Sequence, residues 1–208
     1  MEEKTVVFLA RQMSREERMQ RARDEGAALI AAKRSSWDQI IKELHTDIQA
    51  LRARGSKSKT AVISRLKVAA SRMAEDWAPL ASCGKGCSTC CNGAVGVDES
   101  DARHIAEVTG APMAKPGGKP IDVHAAAALG PCRFLKKDGA CGIYAARPLA
   151  CRNTLALYGV PEEDCGPKGK GEFAGNTNGS LFRTIASHYT GDVVQRDIRE
   201  WFPHGMKR

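Results

Sequence analysis

The sequence predicts a mainly α-helical protein with a small β-hairpin, in which an irregular cysteine-rich metal-binding domain follows a helical hairpin. Three observations predict it. Apolar residues recur at helical spacing through residues 36–78. All eight cysteines fall between Cys83 and Cys165. One Asp-Gly pair, Asp138-Gly139, stands between the short apolar runs Phe134-Leu135 and Ile143-Tyr144, the pattern of a tight hairpin. The organisation expected is a helical segment over 1–79, a cysteine-cluster domain over 80–166, and a glycine-rich loop with a closing helix over 167–208.

The first 80 residues contain no cysteine. Ser14-Arg-Glu-Glu17 has the form of a capping box and opens a charged stretch that runs to about Arg34. Ser36-Trp-Asp-Gln39 offers a second cap, followed by Trp37, Ile40, Ile41, Leu44, Ile48 and Leu51 at amphipathic spacing. Gly55-Ser-Lys-Ser-Lys59 interrupts the pattern. Val62, Ile63, Leu66, Ala69, Ala70, Met73 and Trp77 form the next stripe, which Pro79 ends. Trp37 and Trp77 are expected to anchor the core between these helices.

Seven Lys or Arg residues lie between Asp47 and Glu75 with no carboxylate among them: Arg52, Arg54, Lys57, Lys59, Arg65, Lys67 and Arg72. A run of this kind at 52–72 suits an acidic protein or nucleic acid. It has no interleaved aromatics for base stacking, so a solvated surface is the competing reading. The formal net charge is +8, but eight thiolates around two divalent ions would halve it. The basic balance is therefore a weak argument for nucleic acid.

The most informative stretch is Cys83-Gly-Lys-Gly-Cys87-Ser-Thr-Cys90-Cys91. Four thiols within nine residues, spaced by glycine, can fold around one point. Thiolates are soft anionic ligands for zinc, copper(I) or iron–sulfur clusters. Eight cysteines would make four disulfides in an exported protein. Here the N-terminus begins acidic and its apolar run, Val6 to Ala10, is too short for a signal peptide. No stretch has the length of a membrane span. The expected setting is the reducing cytoplasm, where thiols bind metal or do chemistry.

Downstream, Asn92-Gly93 marks a turn and Val95-Gly-Val97 a short extended piece. Asp98-Glu-Ser-Asp101 opens a helix that Gly110 closes. Prolines and glycines make 111–120 a loop, and Ile121 to Leu129 a short helix. His104 and His124 read as surface or packing residues before ligands. The hairpin at Asp138-Gly139 would bring Cys132 and Cys141 together, with Tyr144 packed on its strand. Pro148 fits the first turn of a helix carrying Cys151, and Cys165 follows a further loop. A glycine-rich loop over 166–180 and a helix over Asp192–Phe202 complete the chain.

The pattern Cys-x₃-Cys-x₂-Cys-Cys, then Pro-Cys-x-Phe-Leu-x₅-Cys-x-Ile-Tyr-x₂-Arg-Pro-x₂-Cys-Arg, then a further Cys, resembles the YkgJ-type cysteine-cluster family. That family is described as a zinc- or iron-chelating domain, and flagellin lysine N-methylase is a relative. The resemblance covers about residues 80–166 and gives all eight cysteines a place. What it implies is metal binding through Cys83, Cys87, Cys90, Cys91, Cys132, Cys141, Cys151 and Cys165.

The adjacent side chains of Cys90 and Cys91 diverge in most backbone conformations, so they reach different metals more readily than one. That favours an iron–sulfur cluster or another polynuclear iron centre over mononuclear zinc. Cys83-x₃-Cys87-x₂-Cys90 also has radical-SAM spacing, but the βα alternation of such enzymes is missing from the pattern. Lys85, Arg147 and Arg152 stand where they would offset thiolate charge around the cofactor. The expected function is that of an intracellular metal-binding protein with redox or protein-modifying chemistry. The alternative is a non-catalytic zinc module whose hairpin binds a partner.

Overall fold

A single helix of 39 residues, α2 (Arg15–Ala53), runs along the molecule, preceded by α1 (Glu3–Gln12). The computed structural model describes residues 3–84, 86–122, 125–126, 128–165, 174–176 and 179–205. The capping box at Ser14 forms as expected, with the Glu17 amide donating to Ser14 Oγ and the Ser14 amide to Glu17 Oε2. The second cap does not form. Ser36 lies inside α2 and turns its hydroxyl back onto the Lys33 carbonyl, so nothing stops the helix there.

Gly55, with φ +79, makes the turn that reverses the chain. Ser58 then caps α3 (Lys59–Trp77), and the two helices form the hairpin. Trp37, Ile40, Leu44 and Ile48 of α2 pack on Val62, Ile63, Leu66, Ala70, Met73 and Trp77 of α3. The Trp37 and Trp77 rings stack at 5.7 Å, and the Trp37 indole N–H donates to Asp76. This face also receives Phe182, Ile185 and Ala186 from a helix the sequence pattern did not reveal, which runs Gly179–Thr190.

A second core gathers Val97, Ala102, Ile105, Phe134, Ile143, Ala146, Ile198, Trp201 and Phe202. It is built by β1 (Gly96–Val97), α4 (Glu99–Thr109) and the C-terminal segment. Asp98 caps α4, and Gly110 closes it in the left-handed conformation, both as expected. Among the described residues, the further helices and strands are α5 (Leu149–Asn153), β2 (Thr154–Ala156), α6 (Pro161–Asp164), β3 (Ala174–Asn176), α7 (Gly179–Thr190), β4 (Arg196–Asp197) and α8 (Ile198–Trp201). They form two small antiparallel sheets, β1 with β4 and β2 with β3.

Three expectations need correction. The turn at Asp138-Gly139 is present, with Gly139 at φ +80, but its arms meet only in a single bridge between Leu135 and Cys141. Tyr144 is consequently not a packed strand residue. It sits in a 3₁₀ turn, 58% exposed. The closing helix is four residues long, because Asp197 caps it late and Val193 and Val194 lie exposed before it. The helix expected over 121–129 falls partly outside the described residues, and so does His124. No described helix is long and apolar enough to cross a membrane.

Asp98 is buried, and desolvation raises its carboxyl from 3.8 to about 6. Asp101 and Asp192 add to the shift; the Asp101 amide and Lys67 oppose it. With the folded value above the unfolded one, the native state binds more protons between pH 4 and 6, and stability falls as pH rises through that window. Asn keeps the capping oxygen without the charge. Asp98→Asn is therefore expected to gain up to about 3 kcal/mol over the parent above pH 6 and nothing near pH 4. Urea melts that run parallel at all pH values would contradict this.

Candidate metal centre

The cysteine-bearing loops meet where the two cores adjoin. Ile143 and Ile198 of the second core, Pro148 and Ala150 around α5, and the thiol-bearing residues Cys87, Cys90, Cys91, Cys132, Cys141 and Cys151 line one cavity of about 170 Å³. Backbone bonds place them. The Cys132 amide donates to the Cys91 carbonyl at 2.8 Å, joining the first cysteine loop to the second. Cys141 pairs with Leu135 across the glycine turn. Cys151 enters on α5, which packs on α3.

The other two cysteines lie beside this cavity, not on it. Cys83 accepts the Ala156 amide at 3.2 Å and shares a thiol–thiol hydrogen bond with Cys87. Cys165 is buried and within electrostatic reach of Cys83. The eight thiols thus fall into five plus three. Cys83, Cys87 and Cys165 form one set, and Cys90, Cys91, Cys132, Cys141 and Cys151 the other. Cys87 faces both, since it couples to Cys90 as well.

Electrostatics resists a full set of thiolates. The Cys83 thiol is pushed up by its bond to Cys87 and by burial, whereas the same bond lowers Cys87. Cys90 and Cys91 repeat the arrangement, with Cys91 held up and Cys90 lowered. Burial, then negative charge at Cys90, Cys132 and Cys141, raises Cys151 well above an ordinary thiol. Crowded thiols in a half-buried cavity ionise together only when a cation compensates them. The donor set therefore fits a soft or borderline metal. Among the described residues, no three Cys, His, Asp or Glu side chains stand around one point at ligand distance.

Of the three cationic residues singled out in the sequence, Arg147 lines the cavity. Its guanidinium lies 4.1 Å from the centre of the exposed Tyr144 ring, and its buried Nε has no hydrogen-bond partner among the described residues. Arg152 stands one step behind the cavity. It donates to the carbonyls of Ala145 and Arg147 and to Ser71 Oγ, bracing the loop that carries Arg147. Lys85 lies outside the described residues.

Sequence reasoning missed the residues that strap these loops in place. Arg199 is 4% exposed, is paired with Asp197, and donates to the carbonyls of Gly93 and Gly130, next to the loops of Cys91 and Cys132. Asp197 also accepts the Val95 amide. Arg18, from α2, pairs with the buried Asp164 beside Cys165. Asp197-x-x-Glu200 has capping-box form, so this signal was readable.

Thiols from three separate stretches of chain on one cavity, braced by buried ion pairs, define a metal-chelating module. Residues 82–168 match the family model CxxCxxCC, described as "Putative zinc- or iron-chelating domain", so this part of the chain is similar to that cysteine-cluster family. The chain matches no curated protein and no solved structure.

Proposed function

We propose that the cavity holds a polynuclear iron centre, an iron–sulfur cluster or a related assembly, that serves redox or protein-modifying chemistry. The observation that carries this reading is the placement of six cysteines around one cavity with the adjacent pair Cys90 and Cys91 both on its wall. A mononuclear tetrahedral site takes four ligands, so six thiols on one wall suit more than one metal atom. Arg147, with its unpartnered Nε, would supply charge and a hydrogen bond to an anionic thiolate centre. Such a centre, when bound, would supply electron transfer or Lewis acidity. Tyr144 and Arg147 would border its access from solvent.

Anaerobic purification followed by metal and acid-labile sulfide analysis, with an absorption spectrum, tests the reading. More than one iron per chain, with thiolate-to-iron charge-transfer bands, is expected. Stoichiometric zinc with a featureless visible spectrum would replace it with the structural zinc module.

A further inference from the structure

The basic run over 52–72 contains one residue that is not at the surface. Lys67 is 4% exposed and projects from α3 among the apolar residues Ile63, Leu66 and Ala70. Its ammonium reaches Asp101 Oδ1 at 2.6 Å, the Ala146 carbonyl at 3.0 Å and His104 Nδ1 at 3.1 Å. An ammonium only donates, so His104 Nδ1 accepts and the neutral ring carries its proton on Nε2. Lys67 thus makes one ion pair, to Asp101, and two hydrogen bonds. Asp101 is equally buried, and its second oxygen accepts the Leu149 amide at 2.8 Å.

The two ends of this cluster grip one short stretch of backbone, at Ala146 and at Leu149. That stretch carries Arg147 between the grips and leads into Cys151 two residues on. Arg152 adds its bonds to Ala145, Arg147 and Ser71, the last again from α3. The bonds of Lys67, Asp101 and Ser71 run from the helical hairpin or α4 to the arm that bears the cavity's cationic residue and Cys151, and those of Arg152 to Ala145 and Arg147 brace the arm from within. Local propensity does not explain so much buried charge, since desolvating an ion pair offsets much of its attraction.

We propose that Lys67, with Asp101, is a positioning latch. Through it the helical hairpin presets the 145–151 arm, so that metal capture at the cavity depends on docking of α3. The proposal rests on the reading of the cavity as a metal site. It makes Lys67 and Asp101 positioning residues, because neither touches the cavity.

The test compares full-length wild type, Lys67→Met and Lys67→Met/Asp101→Asn, titrated anaerobically with zinc alone against a chromophoric chelator. The double variant removes the uncompensated carboxylate that the single one leaves buried, while the side-chain amide oxygen introduced at position 101 still accepts the Leu149 amide. A latch predicts that the double variant regains thermal stability while zinc binding stays at least tenfold weaker than wild type. A merely structural pair predicts that affinity recovers together with stability, and that result overturns the proposal. Hydrogen exchange of metal-free wild type gives a second arm. The Leu149 to Asn153 amides should be protected as strongly as those of α3, and rapid exchange there also overturns the latch. Wild type that binds neither zinc nor iron refutes the metal reading instead, and the exchange arm then decides the latch alone.

Discussion

Stripping the metal with a chelator under reducing conditions should abolish the cooperative unfolding of the cysteine loops over 83–92 and 130–142 while α2, α3, α4 and α7 stay helical. Ligand bonds to a site absent from the unfolded chain count as folding free energy, on the order of 10 kcal/mol for a structural zinc. The first cysteine loop carries little regular structure. Its elements are a single 3₁₀ turn, Thr89–Asn92, and backbone bonds such as Cys132 to Cys91. The hairpin, by contrast, owns a closed apolar face with Ile48, Ile63 and Leu66 fully buried. Calorimetry of the stripped protein should therefore show one transition shifted and weakened, with most helical circular dichroism retained. Identical melting of stripped and loaded protein would contradict this.

The second large effect separates two cysteines. Cys151→Ser should cause insolubility or complete loss of metal, because Cys151 lies on α5, which packs on α3, and lines the cavity from that side. Serine there leaves a hydroxyl that must find a partner or forfeit about 1–3 kcal/mol. Cys91→Ser should leave a folded protein with altered metal content or spectrum. Cys91 sits in a short loop held by its backbone carbonyl, which serine retains. A folded, fully loaded Cys151→Ser protein beside an unfolded Cys91→Ser protein would reverse the assignment.

The helical hairpin was legible because Trp37, Ile40, Leu44 and Ile48 obey one period and a glycine breaks it once. The cysteine cluster was legible for a different reason: thiol spacing carries ligand chemistry directly. What escaped is tertiary. The α2 helix runs through Ser36 because a serine inside a helix can satisfy itself on the preceding turn. The α7 helix was hidden beside a glycine-rich stretch, although Leu181, Phe182, Ile185 and Ala186 do repeat at helical spacing. Tyr144 was misplaced because an Asp-Gly turn fixes the reversal but not the length of its arms.

Lys67 shows the limit most clearly. In the sequence it is one cation among seven. Its register, four after Ile63 and three before Ala70, already placed it on the buried face, but a single lysine in an apolar stripe has no partner until the fold brings Asp101 to it. The same holds for Arg199 and the two carbonyls it bridges, which lie 69 and 106 positions away. Buried ion pairs join distant segments, and no local pattern announces them.

The central claim is that the thiols around the cavity hold the metal together. Anomalous diffraction from crystals of the loaded protein, grown anaerobically and recorded at the edge of the metal found by analysis, tests it most directly. The account predicts density inside the cavity, between Cys90, Cys91, Cys132, Cys141 and Cys151. Density confined to surface histidines or carboxylates, with those five thiols unliganded, would contradict it.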